Sequence, residues 1–209
     1  MRRNRTVLFF LISMCFFLAS CSSAPNRVNY YSLTLPVDSN QSVEKNTDAL
    51  KKKNQVKIRI TIAPISLAQS LNQDGIVFQK SEHTVHQATY HRWIEPLDSA
   101  LAHALENALN SAIPTARFEP FSGAWTKNNN YTLRLSVDSF HLTYQSAAVF
   151  SGRYWVYDNN KNVLVDNTFQ FNEALQQDGY VAGVNALKEV LDDLNQELAN
   201  LFNQLLKSS

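Results

Sequence analysis

The stretch Leu18-Ala19-Ser20-Cys21 sets the terms on which this chain folds. It follows a basic start, Met1-Arg2-Arg3-Asn4-Arg5, and an apolar run over residues 7–18. A charged opening, a short apolar core and small residues before a cut site make a secretory signal peptide. The run is too short to span a bilayer comfortably, which takes roughly 20 apolar residues. A cysteine directly after Leu-Ala-Ser has the form of a bacterial lipobox. In that chemistry Cys21 receives a diacylglycerol, the signal is cut between Ser20 and Cys21, and the new amine is acylated. Each buried methylene contributes about 0.8 kcal/mol, so several acyl chains hold a protein firmly to a bilayer. Ser22 stands where an aspartate would retain a lipoprotein at the inner membrane in enterobacteria-like sorting. The expected destination is therefore the outer membrane of a Gram-negative bacterium, on its periplasmic face.

The consequence for folding is direct. Cys15 leaves with the signal and Cys21 carries lipid, so neither of the two cysteines remains for a disulfide or for thiol catalysis. The domain must hold by packing alone. Three of the 19 basic residues and none of the 18 acidic ones lie in residues 1–20, which leaves a formal net charge of −2 once the amine is acylated. Nucleic acid calls for a basic face, so it is not an expected partner. The expected organisation is a signal over 1–20, a lipidated tether with a short strand over 21–36, a flexible polar loop over 37–55, and one periplasmic domain over 56–209.

Period-2 patterns place the strands. Val56, Ile58, Ile60 and Ile62 alternate with polar residues, and Pro64 closes that strand. Residues 65–74 read as a loop, followed by two shorter strands around Ile76-Val77-Phe78 and Thr84-Val85-His86. Tyr131, Leu133, Leu135 and Val137 alternate, as do Phe140, Leu142 and Tyr144, with a phase slip at Asp138-Ser139 that predicts a β-bulge. Residues 147–157 are apolar on both faces, as in a central strand. Asp158-Asn159-Asn160-Lys161 is a turn. Val163, Val165, Phe169 and Phe171 are expected to face one way along the next strand, completing an antiparallel meander.

Two helices carry the 3.6-residue period. Pro96 opens the first, and Ile94, Leu97, Leu101, Leu105, Leu109 and Ile113 form its stripe, filled in by Ala104, Ala108 and Ala112. The last begins at Asp178-Gly179, with Asp178 as the expected cap, and carries a stripe from Val184 to Leu205. The fold class is α+β: an antiparallel or mixed sheet with two long helices packed on one face.

Chemistry is sparse. His83 and His86 lie in a strand, where positions three apart face opposite sides. His91 precedes the first helix, His103 is alone on it, and His141 falls on an outward phase. With no cysteine or acidic set at ligand spacing, no metal site is expected. Ser151-Gly152 lies inside a strand rather than on a nucleophile elbow. Glu95 and Asp98 stand one helical turn apart, where carboxylates satisfy free N–H groups and the dipole. Five glycines form no phosphate-cradling loop. Catalytic residues and cofactors beyond the covalent lipid are therefore not expected. Tyr90, Trp93 and Trp125, aromatic residues in or beside loops, read either as core plugs or as contact points for lipid or protein; with Leu67, Leu71 and Ile76, which could present an apolar loop, Tyr90 and Trp93 form a candidate partner-contact loop.

Four local patterns carry a resemblance. They are Cys21 followed by Tyr30-Tyr31-Ser32-Leu33; the strand from Ile58 to Pro64 leading to Gly75-Ile76-Val77-Phe78; His91-Arg92-Trp93-Ile94-Glu95-Pro96-Leu97; and Asp178-Gly179-Tyr180. In their order and spacing the chain resembles the PqiC-type auxiliary lipoproteins of ABC-linked, MCE-containing transport systems. Its loop over 37–54 is longer than usual, and Ser66-Leu67-Ala68-Gln69-Ser70-Leu71 lacks a proline often found there. The resemblance implies a non-catalytic accessory that docks or receives a periplasm-spanning MCE-domain protein of the inner membrane, in lipid transport that supports envelope integrity. A ring of identical subunits would suit the end of a tunnel. The alternative from another class is a structural or assembly lipoprotein that binds outer-membrane proteins or peptidoglycan without a transporter.

Overall fold

The structure is a computed structural model that describes residues 27–34, 58–123 and 129–207. The signal, Cys21, the loop over 37–55, Val56 and Trp125 lie outside the described residues. The elements run β1 (Asn29–Tyr31), β2 (Ile58–Ile62), β3 (Ser66–Leu67), a 3-10 turn (Gln69–Leu71), β4 (Gly75–Ser81), β5 (Thr84–Trp93), α1 (Leu97–Ala112), β6 (Ala116–Pro120), β7 (Tyr131–Thr143), β8 (Ala147–Asp158), β9 (Val163–Ala174) and α2 (Tyr180–Lys207). The class is α+β, as the periodicities predict: nine strands form one mixed sheet, and the two helices pack against it and each other.

Strand β7 is the axis of that sheet. One edge pairs antiparallel with β8, and β8 with β9, which is the expected meander. The other edge takes three short strands in succession, all parallel: β2 along residues 131–133, β3 along 136–137 and β4 along 142–143. The chain from Ile58 to Ser81 thus walks the length of β7. What reads as one loop over 65–74 contains β3 and the 3-10 turn, and Ile65 and Leu71 are buried there. β6 extends the sheet beyond β2, while β5 and then β1 extend it beyond β4.

The predicted bulge is present. Val137 pairs with Gly152 and Ser139 with Ser151, so Asp138 is the extra residue. It keeps Leu133, Leu135 and Val137 buried before the slip and Phe140 and Leu142 buried after it. A second irregularity corrects the reading of β9. Val156 pairs with Val165 but Tyr157 pairs with Val163, which leaves Leu164 extra. Val163 is thereby turned away from the inward set and is 54% exposed, while Phe169 stays buried.

In α1 the buried positions are Leu97, Leu101, Leu105 and Leu109 with Ala100 and Ala104. Pro96 holds the cap position with ψ of 136°, and its carbonyl accepts the Ala100 N–H at 2.9 Å. Ile94, expected on the stripe, lies ahead of the helix and is 59% exposed. Ala108 is half-buried and Ala112 exposed, so the stripe narrows toward the end. In α2 the buried face includes Val184, Leu187, Val190, Leu191, Leu194, Leu198 and Phe202. Gly179, rather than Asp178, takes the position before the first turn: its carbonyl accepts the Gly183 N–H at 3.0 Å, and its φ of 105° is one that glycine adopts at little cost.

Aromatic rings seam the two layers. Phe150 stands edge-on to Phe140 and Phe169 at 5.0 and 4.9 Å, and Phe118 of β6 meets Phe202 of α2 at 5.0 Å. Asn110 of α1 clips onto β6. Its Nδ2 donates to the Phe118 carbonyl and its Oδ1 accepts the Phe118 N–H, both at 2.9 Å. An edge strand with bare backbone groups invites pairing with another chain, and this amide satisfies two of them. Asn110→Ala removes both bonds, each with a net contribution of about 1 kcal/mol, so a loss of about 2 kcal/mol is expected in urea unfolding at unchanged slope.

Candidate functional site

Tyr31, Gly75, the segment from His91 to Ile94 and Tyr180, each drawn from one of the patterns that carry the resemblance, meet at one corner of the domain. β1 lies parallel to β5, with Tyr31 beside Trp93, and β4 begins at Gly75 opposite Arg92. The Tyr31 hydroxyl bonds His91 Nδ1 at 2.8 Å. His91 in turn stacks on Tyr180, the first residue of α2, with centroids 3.8 Å apart and planes 11° from parallel. The Ile94 N–H donates to the Tyr31 carbonyl at 2.9 Å, and the Trp93 N–H to the Asp74 carbonyl at 2.8 Å. A Cβ at Gly75 would collide with the Ala88 carbonyl and the Gln87 side chain, which explains a glycine there. Burial, with the neighbouring Tyr180 hydroxyl, pushes the Tyr31 hydroxyl above its ordinary pKa.

This corner is a clamp on the segment that follows the tether. Strand β1 is only three residues long, too few for its backbone pairing alone to hold it. His91 supplies the remainder by touching β1 with one ring atom and α2 with its face. His91→Ala is therefore expected to speed hydrogen exchange at the Ile94 amide at least tenfold, with the Leu135 amide of the sheet interior unchanged. Equal acceleration at both amides would instead mean global unfolding.

The candidate contact loop divides. Leu71, Ile76 and Trp93 are buried, because β4 lies between β5 and β7 and Trp93 packs against Phe140. They belong to the core and present no surface to a partner. Leu67 is half-buried against that core, and Tyr90 is 42% exposed. Only these two remain as surface.

The residues weighed for chemistry are likewise placed. Glu95 precedes α1 and its Oε2 lies 3.1 Å from His103 Nδ1, so His103 hydrogen-bonds a carboxylate at the helix start. Asp98 sits in the first turn of α1. Ser151 lies on β8 between Ser139 and Gln170, with neither a base nor an acid beside it in register. His83 occupies the turn between β4 and β5, and His86 faces Phe78 across the hairpin. His141 pairs with Val149, and burial holds its pKa below the usual imidazole range. Among the described residues, no group of three or more His, Cys, Asp or Glu is placed to hold a metal ion, and no helix is long and apolar enough to cross a membrane.

Two polar clusters were not foreseen. The buried Tyr154 hydroxyl donates to Glu197 Oε1 at 2.6 Å and accepts from Asn167 Nδ2 at 3.1 Å. Burial and the Glu197 carboxylate push that hydroxyl up to about 12, so it remains a donor rather than a base at neutral pH. On the outer face of β8 the Arg153 guanidinium forks onto Asp166, with both bonds at 2.6 Å, and lies 5.3 Å over the Trp155 ring. Arg153 holds the Asp166 carboxyl below its ordinary range. Beside this pair, Ser66, Arg134, Ser136, Trp155 and Tyr157 line an open groove of about 350 Å³. The alternation of β8 contains the signal for the aromatic face, since Trp155 and Tyr157 occupy its outward phase.

Among the described residues, register brings neither a base nor an acid beside Ser151. Residues 35–199 match the family of ABC-type transport auxiliary lipoprotein components. The chain belongs to this family. It is similar to the intermembrane transport lipoprotein PqiC of Escherichia coli, with 25% identity over 190 residues, covering 90% of this chain and 91% of that one. The PqiC of Shigella flexneri matches to the same extent. Two crystal structures share the fold. An uncharacterized protein superposes with a TM-score of 0.68 at 22% identity, covering 84% of this chain and 99% of its own. Protein XCC0632 from Xanthomonas campestris gives 0.68 at 16% identity, covering 87% and 100%. The family is one of transport accessories rather than an enzyme class, and its members are envelope lipoproteins.

Proposed function

We propose that this chain is the outer-membrane-anchored subunit of an MCE- and ABC-type intermembrane lipid transport system. Cys21 carries the diacylglycerol and N-acyl chains that anchor it to the inner leaflet. The domain faces the periplasm and docks or receives the end of a tunnel made by an inner-membrane MCE-domain protein, and so supports envelope integrity. The observation that carries this reading is the family match along residues 35–199, reinforced by the near-complete overlap with PqiC, whose name places that relative in intermembrane transport.

The role asks for a tether, a stable fold and an exposed surface rather than reactive groups. The clamp formed by Tyr31, His91 and Tyr180 ties the start of the domain to its body, which suits a protein held by one end. Affinity purification of the full-length, lipidated protein from cross-linked membranes tests the proposal. Capture of an inner-membrane MCE-domain protein is the expected result. Recovery of outer-membrane proteins alone would sink it.

A further inference from the structure

The groove of about 350 Å³ beside Arg153 lies on the sheet face turned away from the helices. Leu133, Leu135, Tyr154 and Val156 are buried, and Tyr154 reaches Glu197 of α2. Alternation therefore turns Arg134, Ser136, Trp155 and Tyr157 to the outer face. The strand register arranges them. Ser66 of β3 stands opposite Ser136 of β7, Arg134 of β7 opposite Trp155 of β8, and Trp155 opposite Asp166 of β9. Tyr157 follows Trp155 two residues along β8. Directly opposed side chains stand about 5 Å apart at Cβ, so Arg134 lies beside Trp155.

Charge decides what such a groove takes. Asp166 is the acid in the same row of the register, and Arg153 occupies both of its oxygens at 2.6 Å. Arg134 is left exposed, and among the described residues it enters no ion pair. Among the described residues it is also the only Asp, Glu, Lys or Arg in the lining, so the groove favours an anion. Arg153, pinned by Asp166, lies 5.3 Å over the Trp155 ring. That contact holds the ring and lowers the cost of ordering it around a ligand. Ser66, Ser136 and Tyr157 add three hydroxyl side chains, each able to donate and to accept. At Ser136 the backbone of β7 is paired on both edges, by β3 and by β8, so no bare strand edge is offered to a peptide there. Recognition falls to side chains. The volume stands at the low end of the roughly 300–1,000 Å³ of small-molecule pockets, which suits a compact ligand.

We infer that this groove binds a phosphate ester carrying free hydroxyls, as in glycerol 3-phosphate or a phospholipid headgroup that ends in glycerol. Arg134 takes the phosphate oxygens, the hydroxyls of Ser66, Ser136 and Tyr157 exchange hydrogen bonds with the polyol, and the Trp155 ring packs on its carbon chain. A lipid as the source of the ester rests on the transport reading above. The groove chemistry does not.

Calorimetric titration of the full-length, lipidated protein in phosphatidylcholine nanodiscs tests the inference. The probes are glycerol 3-phosphate and dihexanoyl phosphatidylglycerol, set against inorganic phosphate, glycerol and an acetylated Asp-Glu dipeptide. The tighter of the two esters is expected to exceed each of the three controls at least tenfold in affinity. Tighter binding of the glycerol lipid than of glycerol 3-phosphate assigns a membrane headgroup, and equal or weaker binding assigns a free ester; either supports the site. Arg134→Gln is expected to fold, because the side chain is exposed and enters no ion pair, and to lose ester binding at least tenfold. Ser66→Ala combined with Ser136→Ala is expected to bring the ester down toward the affinity of inorganic phosphate. No heat with either ester, equal affinity for inorganic phosphate, or wild-type binding by Arg134→Gln would overturn the inference. Binding of the dipeptide alone would also overturn it and assign the groove to a protein partner. No partner protein is present in this titration, so its failure leaves the docking proposal standing, and failure to capture a partner leaves this groove standing.

Discussion

Cys21→Ser is expected to leave an uncut precursor that no longer fractionates as an outer-membrane lipoprotein. The oxygen of serine cannot take the place of sulfur in the diacylglycerol transfer that precedes cleavage at Ser20. On the proposed lipidation the effect should be close to complete, because such an attachment is covalent and cumulative. At about 0.8 kcal/mol per buried methylene, one chain gives only reversible binding, and two or more give stable anchoring. Density-gradient fractionation with a mobility assay for the precursor reads both consequences. Normal outer-membrane recovery of the serine variant would show that another segment anchors the protein. The domain should fold in either case, since it holds neither disulfide nor lipid within its core.

Phe150→Ala is expected to be the most damaging core substitution, at about 3–5 kcal/mol. Phe150 is fully buried on β8, the strand paired on both edges, and its ring makes edge-to-face contacts with Phe140 of β7 and Phe169 of β9. Truncation opens a cavity where all three strands of the meander meet beneath α2. Against a typical domain stability of about 5–15 kcal/mol, the loss removes a large share of the total. Phe150→Leu fills most of the space and is expected to cost substantially less. Urea unfolding of the two variants separates the cavity from the lost aromatic geometry. Equal costs would mean that edge contacts, not volume, set the stability of the sheet.

The sequence carried the meander because its signal is local. The bulge at Asp138 is written as a phase slip between Val137 and Phe140, and a strand that buries one face cannot slip without compensation. The bulge at Leu164 is not legible in the same way. Val163, Leu164 and Val165 are all apolar, so no alternation marks which of them turns outward. The burial of Ile76 and Trp93 is hidden for a different reason. It follows only once β4 is seen to join β5 to β7, and that pairing spans more than 60 residues of chain. Long-range register of this kind leaves no mark in a short window.

The clamp was half legible. Tyr31, His91 and Tyr180 each sit within a pattern singled out in the sequence, but their convergence depends on β1 pairing with β5 and on where α2 begins.

The most direct measurement is photo-cross-linking in intact cells, with a cross-linking residue placed at Tyr90, which is exposed and outside both the clamp and the groove beside Trp155. An adduct with a periplasm-spanning MCE-domain protein is the expected result, and it should disappear in the Cys21→Ser background where the domain is no longer presented at the outer membrane. Adducts confined to outer-membrane proteins or peptidoglycan, unchanged by deletion of every MCE-domain protein in the cell, would contradict the role proposed for this lipoprotein.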